Sequence, residues 1–285
     1  MHPLQVCDPG GSQWCIDLSS DALIEIDHVT FGYDSSRTIL NDLNLRFMRG
    51  QVTSVLGNSG CGKTTLLRLM GGALKPTQGL LKVDGVDMGT LDNDGLYRLR
   101  RRMGMLFQFG ALFTDMTVFE NVAFPLREHT DLPEEMIRDM VLMKLNAVGL
   151  RGAQDLIPSE LSGGMARRVA LARSIALDPA LILYDEPFAG LDPISLGVTG
   201  NLIRRLTDTL GMTSVVVTHD VHESLKIVDY VYFVSEGVIV AQGAPAEIKD
   251  SDLPYVHQFV HGEEDGPVPF HYPAPAYAAD LELCA

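Results

Sequence analysis

The sequence predicts an α/β fold, with a mixed sheet core, an antiparallel β subdomain and a helical subdomain. Alternating apolar and polar residues predict strands in the first part of the chain, and an Asp84-Gly85 turn favours antiparallel pairing. These strands are 23–31, 43–47 and 80–86. A helical section follows, within 116–177. Apolar strands then alternate with helical stretches, which is typical of βαβ units on a parallel sheet. These strands are 181–184, 213–218 and 230–235.

Composition and charge exclude several classes of function. The 285 residues are 46% hydrophobic, enough for one large or two smaller domains. A formal charge of −15 opposes direct binding to nucleic acid or anionic lipid. No apolar stretch reaches the roughly 18–20 residues of a membrane-spanning helix, and residues 1–20 lack the basic residues of a secretory signal. We therefore expect a soluble, cytoplasmic protein that reaches a membrane only through partners.

The two ends of the chain differ from its middle. Residues 1–22 have no periodicity, which predicts a loose N-terminal arm. Residues 251–285 hold six acidic residues and five prolines, which predicts a C-terminal tail without regular structure. The aromatic residues of the tail leave two alternatives open, disorder or docking on a neighbouring subunit. They are Tyr255, Phe259, Phe270, Tyr272 and Tyr277.

Three further patterns have plain structural interpretations. Behind Pro133, the segment 134–150 predicts a helix whose core face is an apolar stripe. The stripe consists of Met136, Met140, Met143 and Val148. The four arginines of 98–102 predict the solvated face of one helix rather than a nucleic-acid patch. The cysteines lack metal-ligand spacing, which predicts free thiols in a reducing compartment. They are Cys7, Cys15, Cys61 and Cys284.

A glycine-rich segment matches the pattern G-x-x-x-x-G-K-[ST] between a predicted strand, 51–56, and a predicted helix, 65–71. It reads Gly57-Asn58-Ser59-Gly60-Cys61-Gly62-Lys63-Thr64 and is continued by Thr65. Its glycines let backbone N–H groups surround phosphate oxygens, and the helix N-terminus adds positive partial charge. Lys63 is expected to reach the β- and γ-phosphates, and Thr64 to ligate Mg²⁺. The segment therefore predicts a nucleotide site, in which Cys61 is a tolerated small residue.

An apolar strand that ends in two carboxylates predicts the other half of this site. It reads Leu181-Ile182-Leu183-Tyr184-Asp185-Glu186. Asp185 is expected beside the metal, usually through a water, as in other nucleotidases. Glu186 is expected to polarise the water that attacks the γ-phosphate.

A third element lies between these two and reads Leu161-Ser162-Gly163-Gly164-Met165. A serine and two glycines at the start of a helix form a second anion site. Together with the phosphate loop and the carboxylates, this segment resembles the Leu-Ser-Gly-Gly-Gln signature of the ATP-binding-cassette (ABC) ATPases. The resemblance spans about residues 23–250 and implies a P-loop NTPase fold of ABC type, with the helical subdomain at about 109–178. Met165 replaces the usual glutamine, which removes an amide near the ribose.

The resemblance also implies roles for individual residues. Two chains are expected to enclose two ATP molecules, so that Ser162, Gly163 and Gly164 contact the γ-phosphate held by the sister chain. Tyr33 matches the aromatic residue that stacks on adenine, with plain packing as the alternative. Gln108, 45 residues after Lys63, matches the residue that senses Mg²⁺ and the attacking water.

Two more matches complete this set. Asp192 falls in the loop that couples the two sites across the dimer. His219, 33 residues after Glu186, matches the switch histidine that contacts the γ-phosphate. Catalysis would then depend on positioning, with Glu186 orienting water and His219 stabilising the charge that develops. Closure of the dimer would assemble the site.

A closer resemblance, carried by the signature together with 110–116, 122–130 and 265–270, is to the ATPases of the Mla phospholipid transport system. It implies phospholipid traffic between the two membranes of Gram-negative bacteria, which maintains outer-membrane lipid asymmetry. The implied partners are a second copy of the chain, a multi-pass permease, an MCE-domain lipid carrier and a STAS-domain subunit. The implied location is peripheral, on the cytoplasmic side of the inner membrane.

Several alternatives stay open at this point. The same ATPase could serve an importer of another hydrophobic solute, such as the MCE-type transport of a sterol or solvent-type compound. A non-transport ABC ATPase is disfavoured by the single cassette, the negative charge and the lack of a long heptad run. Four phenylalanines belong either to the core of the helical subdomain or to a groove for a permease helix. They are Phe109, Phe113, Phe119 and Phe124.

Overall fold

The structure is a computed structural model and describes residues 21–34 and 37–268. Most of the predicted N-terminal arm lies outside the described residues, as do three of the tail aromatics and three of the cysteines. These are Phe270, Tyr272, Tyr277, Cys7, Cys15 and Cys284.

Strands of the described residues form two sheets. The strands are β1 (Ala22–Phe31), β2 (Leu40–Met48), β3 (Val52–Leu56), β4 (Gln78–Val83), β5 (Val86–Asp87), β6 (Met103–Leu106), β7 (Leu181–Asp185), β8 (Thr213–Thr218), β9 (Tyr230–Ser235) and β10 (Val238–Gly243). An antiparallel sheet has the order β2-β1-β4-β5, and a mixed sheet has the order β10-β9-β3-β8-β7-β6. In the mixed sheet β10 is antiparallel to β9, and the other pairings are parallel.

Helices connect and cover these sheets. They are α1 (Lys63–Met70), α2 (Asn93–Arg100), α3 (Val118–His129), α4 (Glu134–Ala147), α5 (Gly163–Ser174), α6 (Pro193–Leu210), α7 (Val221–Leu225), α8 (Pro245–Lys249) and α9 (Pro254–His261). Within the described part of the chain, no helix is both long and apolar enough to cross a membrane.

The predicted fold class is confirmed, and the turn between β4 and β5 is the predicted one. Asp84 and Gly85 both have positive φ, 52° and 76°, which is the two-residue hairpin geometry that Asp-Gly favours. The carboxylate of Asp84 is buried and pairs with Arg49 at 2.7 Å and with Arg102. The first of these pairs links the turn to the end of β2.

The mixed sheet has a core on each face. Successive residues of β3 alternate between the two: Val52 and Leu56 pack with the helices of 118–176, whereas Val55 packs with α1 and the antiparallel sheet. A strand that is covered on both sides needs apolar residues at nearly every position. This is why β7 and the centre of β8 read as short apolar runs rather than as alternating patterns, whereas β3 also buries Thr53 and Ser54.

The predicted methionine stripe is wrong. Met136 and Met143 are 52% and 68% exposed, and the buried face of α4 consists of Ile137, Val141, Lys144 and Leu145. Only Val148 of the predicted set is fully buried. Residues 136, 140 and 143 do lie on one face of the helix, but an adjacent stripe of branched side chains is the one that packs inward. The helix also ends at Ala147, before Gly149 with its positive φ.

The prediction that residues 251–285 lack regular structure is wrong for 254–261, which form α9. Pro254 occupies the first turn, where its missing N–H costs nothing. Two of the tail aromatics, Tyr255 and Phe259, pack on Phe233 of β9. Pro254 therefore begins a helix here instead of preventing one.

The arginine run is solvated, as predicted, but only half of it lies in a helix. Arg98 and Arg100 are in α2, and Arg101 and Arg102 follow its end.

The four phenylalanines singled out in the sequence lie in different environments. Phe119 packs against the core, Phe113 and Phe124 contact each other with their rings 4.7 Å apart, and Phe109 is 89% exposed. Docking of a permease helix against this set stays a prediction.

We predict that Ile137→Ala destabilises the protein by about 2–5 kcal/mol, because it opens a cavity in a closed core. Met136→Ala, one residue earlier in α4, is expected to change the free energy of unfolding by less than about 0.5 kcal/mol, because that side chain is exposed. Denaturant unfolding of both variants tests this. Equal losses would contradict the assignment of the buried face.

Candidate nucleotide site

Three strands of the mixed sheet bring the predicted site residues to one edge. In the parallel register, Leu56 of β3 lies opposite Thr218 of β8, and Val217 of β8 lies opposite Asp185 of β7. The next residues along the three strands are Gly57, His219 and Glu186. The phosphate loop, His219 and the Glu186 carboxylate therefore meet because the three strands end within one residue of one another.

The phosphate loop between β3 and α1 has backbone geometry that requires glycine. Gly57, Gly60 and Gly62 have φ values of 149°, 82° and 105°. A Cβ atom on Gly57 would lie 2.1 Å from the carbonyl oxygen of Val234. The loop is therefore packed against the end of β9, and its conformation excludes larger residues at this position.

Lys63 and Thr64 lie where the pattern predicts, at the first turn of α1. The buried Lys63 ammonium donates to the carbonyl oxygens of Gly57 and Asn58, at 2.7 and 2.8 Å. The Thr64 hydroxyl lies 3.4 Å from a carboxylate oxygen of Asp185. A hydroxyl and a carboxylate from two different elements thus meet beside the loop.

These oxygens fit Mg²⁺. Burial, and secondly the adjacent Glu186 carboxylate, raises the pKa of Asp185, so a nearby cation would offset both effects. Among the described residues no group of three or more acidic, histidine or cysteine side chains could hold a metal alone. Mg²⁺ bound to nucleotides needs no such group, since phosphates and waters supply its remaining ligands.

Glu186 is held by β8. Its Oε2 accepts hydrogen bonds from the Thr218 hydroxyl at 3.0 Å and the His219 backbone N–H at 3.3 Å, and lies 2.9 Å from His219 Nδ1. The backbone of Glu186 has a φ of 48°, unusual for a residue other than glycine. The carboxylate is 14% exposed and the imidazole 57% exposed, so Glu186 is fixed while His219 faces solvent.

A cleft of about 530 Å³ joins most of these groups. Tyr33, Gln108 and His219 line it together with Glu186 and the phosphate loop. Tyr33 forms an edge-to-face pair with Phe31, has its hydroxyl 3.2 Å from that of Thr65, and remains 57% exposed. Stacking of adenine on this exposed ring stays a prediction.

The signature lies elsewhere on the chain. Ser162 caps α5 by accepting from the Met165 N–H at 3.2 Å, and both Ser162 and Gly163 are exposed. In the described part of the molecule, no signature residue lines the cleft of the phosphate loop. Met165 packs partly against the core, which a glutamine would do less well. Within a single chain, the phosphate loop and the signature therefore form two separate anion sites.

The signature is instead packed on the loop that holds Asp192. A Cβ on Gly164 would lie 2.7 Å from Ser195 Oγ, which donates to Asp192 at 2.6 Å. Asp192 also accepts from the Ile194 and Ser195 N–H groups, each at 3.0 Å, and these bonds hold its pKa below the usual value. Asp192 therefore caps α6, and its predicted role across a dimer stays a prediction.

Sequence reasoning missed Arg167. Its buried guanidinium donates to the carbonyl oxygens of Phe107, Glu186 and Ala189, at 3.4, 3.3 and 3.0 Å, and burial lowers its pKa. It thereby joins α5 to the segments that carry Gln108 and Glu186. An arginine in an amphipathic helix gives no signal of such contacts, which depend on tertiary folding. Tyr255, which donates to Asn58 of the phosphate loop, was missed for the same reason.

The fold and this arrangement define an ABC-type ATPase. Residues 40–189 match the ABC transporter family, so the chain belongs to that family and is the ATP-binding, ATP-hydrolysing subunit of an ABC transporter. The expectation from the sequence is confirmed.

Proteins of similar sequence indicate which ABC transporter ATPases this chain resembles. The chain is 56% identical, over 91% of its length and 98% of that protein, to the intermembrane phospholipid transport system ATP-binding protein MlaF of Haemophilus influenzae. Identity to the protein of the same name from Escherichia coli (strain K12) is 52%, over 91% and 96%. A probable ribonucleotide transport ATP-binding protein, mkl, of Mycobacterium tuberculosis (strain ATCC 25618 / H37Rv) is 40% identical, over 86% and 68%.

Solved structures of ABC transporter ATPases have a similar fold. The chain resembles cbiO1 from Clostridium perfringens, part of the ABC transporter complex cbiONQ, with a TM-score of 0.76 and 31% identity, covering 80% of this chain and 91% of that one. It also resembles the dimeric, post-hydrolysis ATP-binding cassette MJ0796 bound to ADP and Pi. There the TM-score is 0.72 and the identity 31%, covering 78% and 98%.

We predict that Gly57→Ala lowers affinity for ATP at least tenfold, because the added Cβ would collide with the Val234 carbonyl and push the loop out of its phosphate-binding shape (about 1.4 kcal/mol or more). Gly197→Ala is the matched control, since a Cβ there meets nothing within 4 Å and the site is inside a helix. Titration with ATP measures both. Unchanged affinity in Gly57→Ala would contradict the loop's role.

Proposed function

We propose that this chain hydrolyses Mg²⁺–ATP as a homodimer and thereby drives phospholipid transport through a membrane permease. The convergence of Lys63, Glu186 and His219 at the ends of three adjacent strands supports the hydrolytic role. The identity of 52–56% to proteins named for intermembrane phospholipid transport supports the cargo.

The residues divide the chemistry among them. The phosphate loop, from Gly57 to Thr65, holds the phosphates with its N–H groups and with Lys63, while Tyr33 stacks on adenine. Thr64, Gln108 and Asp185 would hold Mg²⁺, which would neutralise phosphate charge when bound. Glu186 takes a proton from the attacking water. Its bonds from Thr218 and His219 fix the carboxylate before the water arrives.

The second copy completes each site. Ser162, Gly163 and Gly164 present a helix N-terminus that is exposed and separate from the chain's own cleft. Facing the γ-phosphate of the sister chain would give those N–H groups an anionic partner. Asp192, packed behind the signature through Ser195 and Gly164, would transmit closure between the two sites.

The partners and location follow from the same proposal. We infer a complex with a multi-pass permease, an MCE-domain lipid carrier and a STAS-domain subunit, on the cytoplasmic side of the inner membrane. Contact with the membrane would pass only through these partners. The exposed rings of Phe109, Phe113 and Phe124 are available for such contact.

Transport of another solute is the second candidate. Its support is the 40% identity to mycobacterial proteins named for probable ribonucleotide transport. The MCE-type import of a sterol or solvent-type compound belongs to the same class. A non-transport role has no supporting observation, and the charge of −15 opposes one on nucleic acid.

We predict that Glu186→Gln reduces ATP hydrolysis by about 100-fold or more, because it removes the general base, and that it traps an ATP-bound dimer. Turnover assays and gel filtration with ATP measure the two effects. Glu135→Gln, at an exposed site on α4, is the control and should match the wild type. Undiminished hydrolysis in Glu186→Gln would remove Glu186 from its assigned role.

We also predict that the tagged protein, extracted from membranes in gentle detergent, co-purifies with a permease and an MCE-domain protein. Mass spectrometry identifies the partners. A permease paired with a soluble solute-binding protein instead would keep the ATPase chemistry and overturn the phospholipid assignment.

A further inference from the structure

Helix α9 reaches the phosphate loop. The Tyr255 hydroxyl donates to the side-chain oxygen of Asn58 at 2.5 Å, although the two residues are 197 positions apart in the sequence. Tyr255 lies after the cassette strands, in the region that the sequence presents as a tail. A side chain from outside the nucleotide motifs thus contacts the loop that holds the phosphates.

Asn58 is bonded through both its side chain and its backbone. Its carbonyl oxygen accepts from the Lys63 ammonium at 2.8 Å and from the Cys61 N–H at 3.4 Å. The hydroxyl of Tyr255 donates to the side-chain oxygen of the same residue. The position of Tyr255 therefore bears directly on the segment that orients Lys63.

The ring of Tyr255 is fixed by aromatic packing. It stacks on Phe259 with an interplanar angle of 22° and forms an edge-to-face pair with the buried Phe233, their ring centroids 6.1 Å apart. Phe233 lies opposite Leu56, the last residue of β3 before the loop. Burial raises the pKa of Tyr255, so its phenol keeps the proton that it donates.

The chain that follows α9 folds back toward the same loop. Gly262, with a φ of 67°, ends the helix, and the buried Gln258 then bonds both the N–H and the carbonyl of Val268, at 2.9 and 3.0 Å. Pro267 and Val268 line a cleft of about 610 Å³ with Tyr255 and the loop residues. Those loop residues are Asn58, Ser59, Gly60 and Cys61.

We propose that Tyr255 is a positioning residue for the phosphate loop, so that α9 sets the affinity of the site for ATP. The loop contains three glycines with positive φ, and these positions carry no side chain that could order it. A hydrogen bond to Asn58 reduces the ordering that ATP binding must supply, which tightens binding. This proposal rests on the ATP site described above.

A double-mutant cycle tests it on the full chain. Tyr255→Phe keeps the ring and removes the hydroxyl, and Asn58→Ala removes the acceptor. Each is expected to raise the Kd for ATP about three- to tenfold, which is the effect of one neutral hydrogen bond. The double variant should bind as weakly as either single variant, because both remove the same contact. In hydrolysis assays the change should appear in KM rather than in kcat.

Tyr232→Phe is the matched control. It also removes a hydroxyl from a tyrosine of this region, a buried one, but that hydroxyl bonds the backbone of Arg46, away from the loop. The control variant is expected to lose stability while its Kd for ATP stays at the wild-type value. Thermal unfolding without nucleotide separates a stability effect from a binding effect in every variant.

Two results would overturn the proposal: a wild-type Kd in Tyr255→Phe, or effects of Tyr255→Phe and Asn58→Ala that add fully. Failure of the proposed function would give a different result: the wild-type protein, together with its membrane partners, would bind ATP but neither hydrolyse it nor move phospholipid. The shift in Kd of Tyr255→Phe would then persist and still support the positioning role.

Discussion

The parallel register of β3, β8 and β7 is the constraint on which the site depends. These strands end within one residue of one another, so the residues that follow them form one edge although they lie far apart in the sequence. The loop at Gly57 supplies positive and N–H groups there, and Glu186 and His219 supply proton-handling groups. A shift of one residue in β7 would move Glu186 away from Thr218 and reverse which residues face each core.

Burial and charge act together at this edge. The strands are covered on both faces, which fixes their register, and the same burial places Asp185 where an anion is unfavourable. A bound cation would offset that cost, and the Mg²⁺–ATP that we propose as the substrate would bring one. Glu186 differs, since Thr218 and His219 already donate to it. The two adjacent carboxylates therefore have different surroundings.

Much of this could be predicted from sequence because it depends on local pattern. Strand 213–218, the Asp84-Gly85 turn and the phosphate loop each carry their own signal, since β-branched runs and glycines act over a few residues. The predictions that were wrong or missing concern contacts that only the tertiary structure decides. Met136 and Ile137 are neighbours of similar polarity, and only packing decides which one is buried. Likewise, nothing near Arg167 or Tyr255 indicates the carbonyl groups or the asparagine that they contact.

In the proposed dimer, each ATP lies between the phosphate loop of one chain and the signature of another. Ser59→Cys and Ser162→Cys place thiols at two exposed positions, after the native cysteines are replaced by serine. Cross-linking a mixture of the two single variants with a short bifunctional reagent tests the claim. We predict a linked pair of chains, formed with Mg²⁺–ATP and lost without it. The absence of a linked pair, or a yield of linked pairs that does not depend on ATP, would contradict this arrangement.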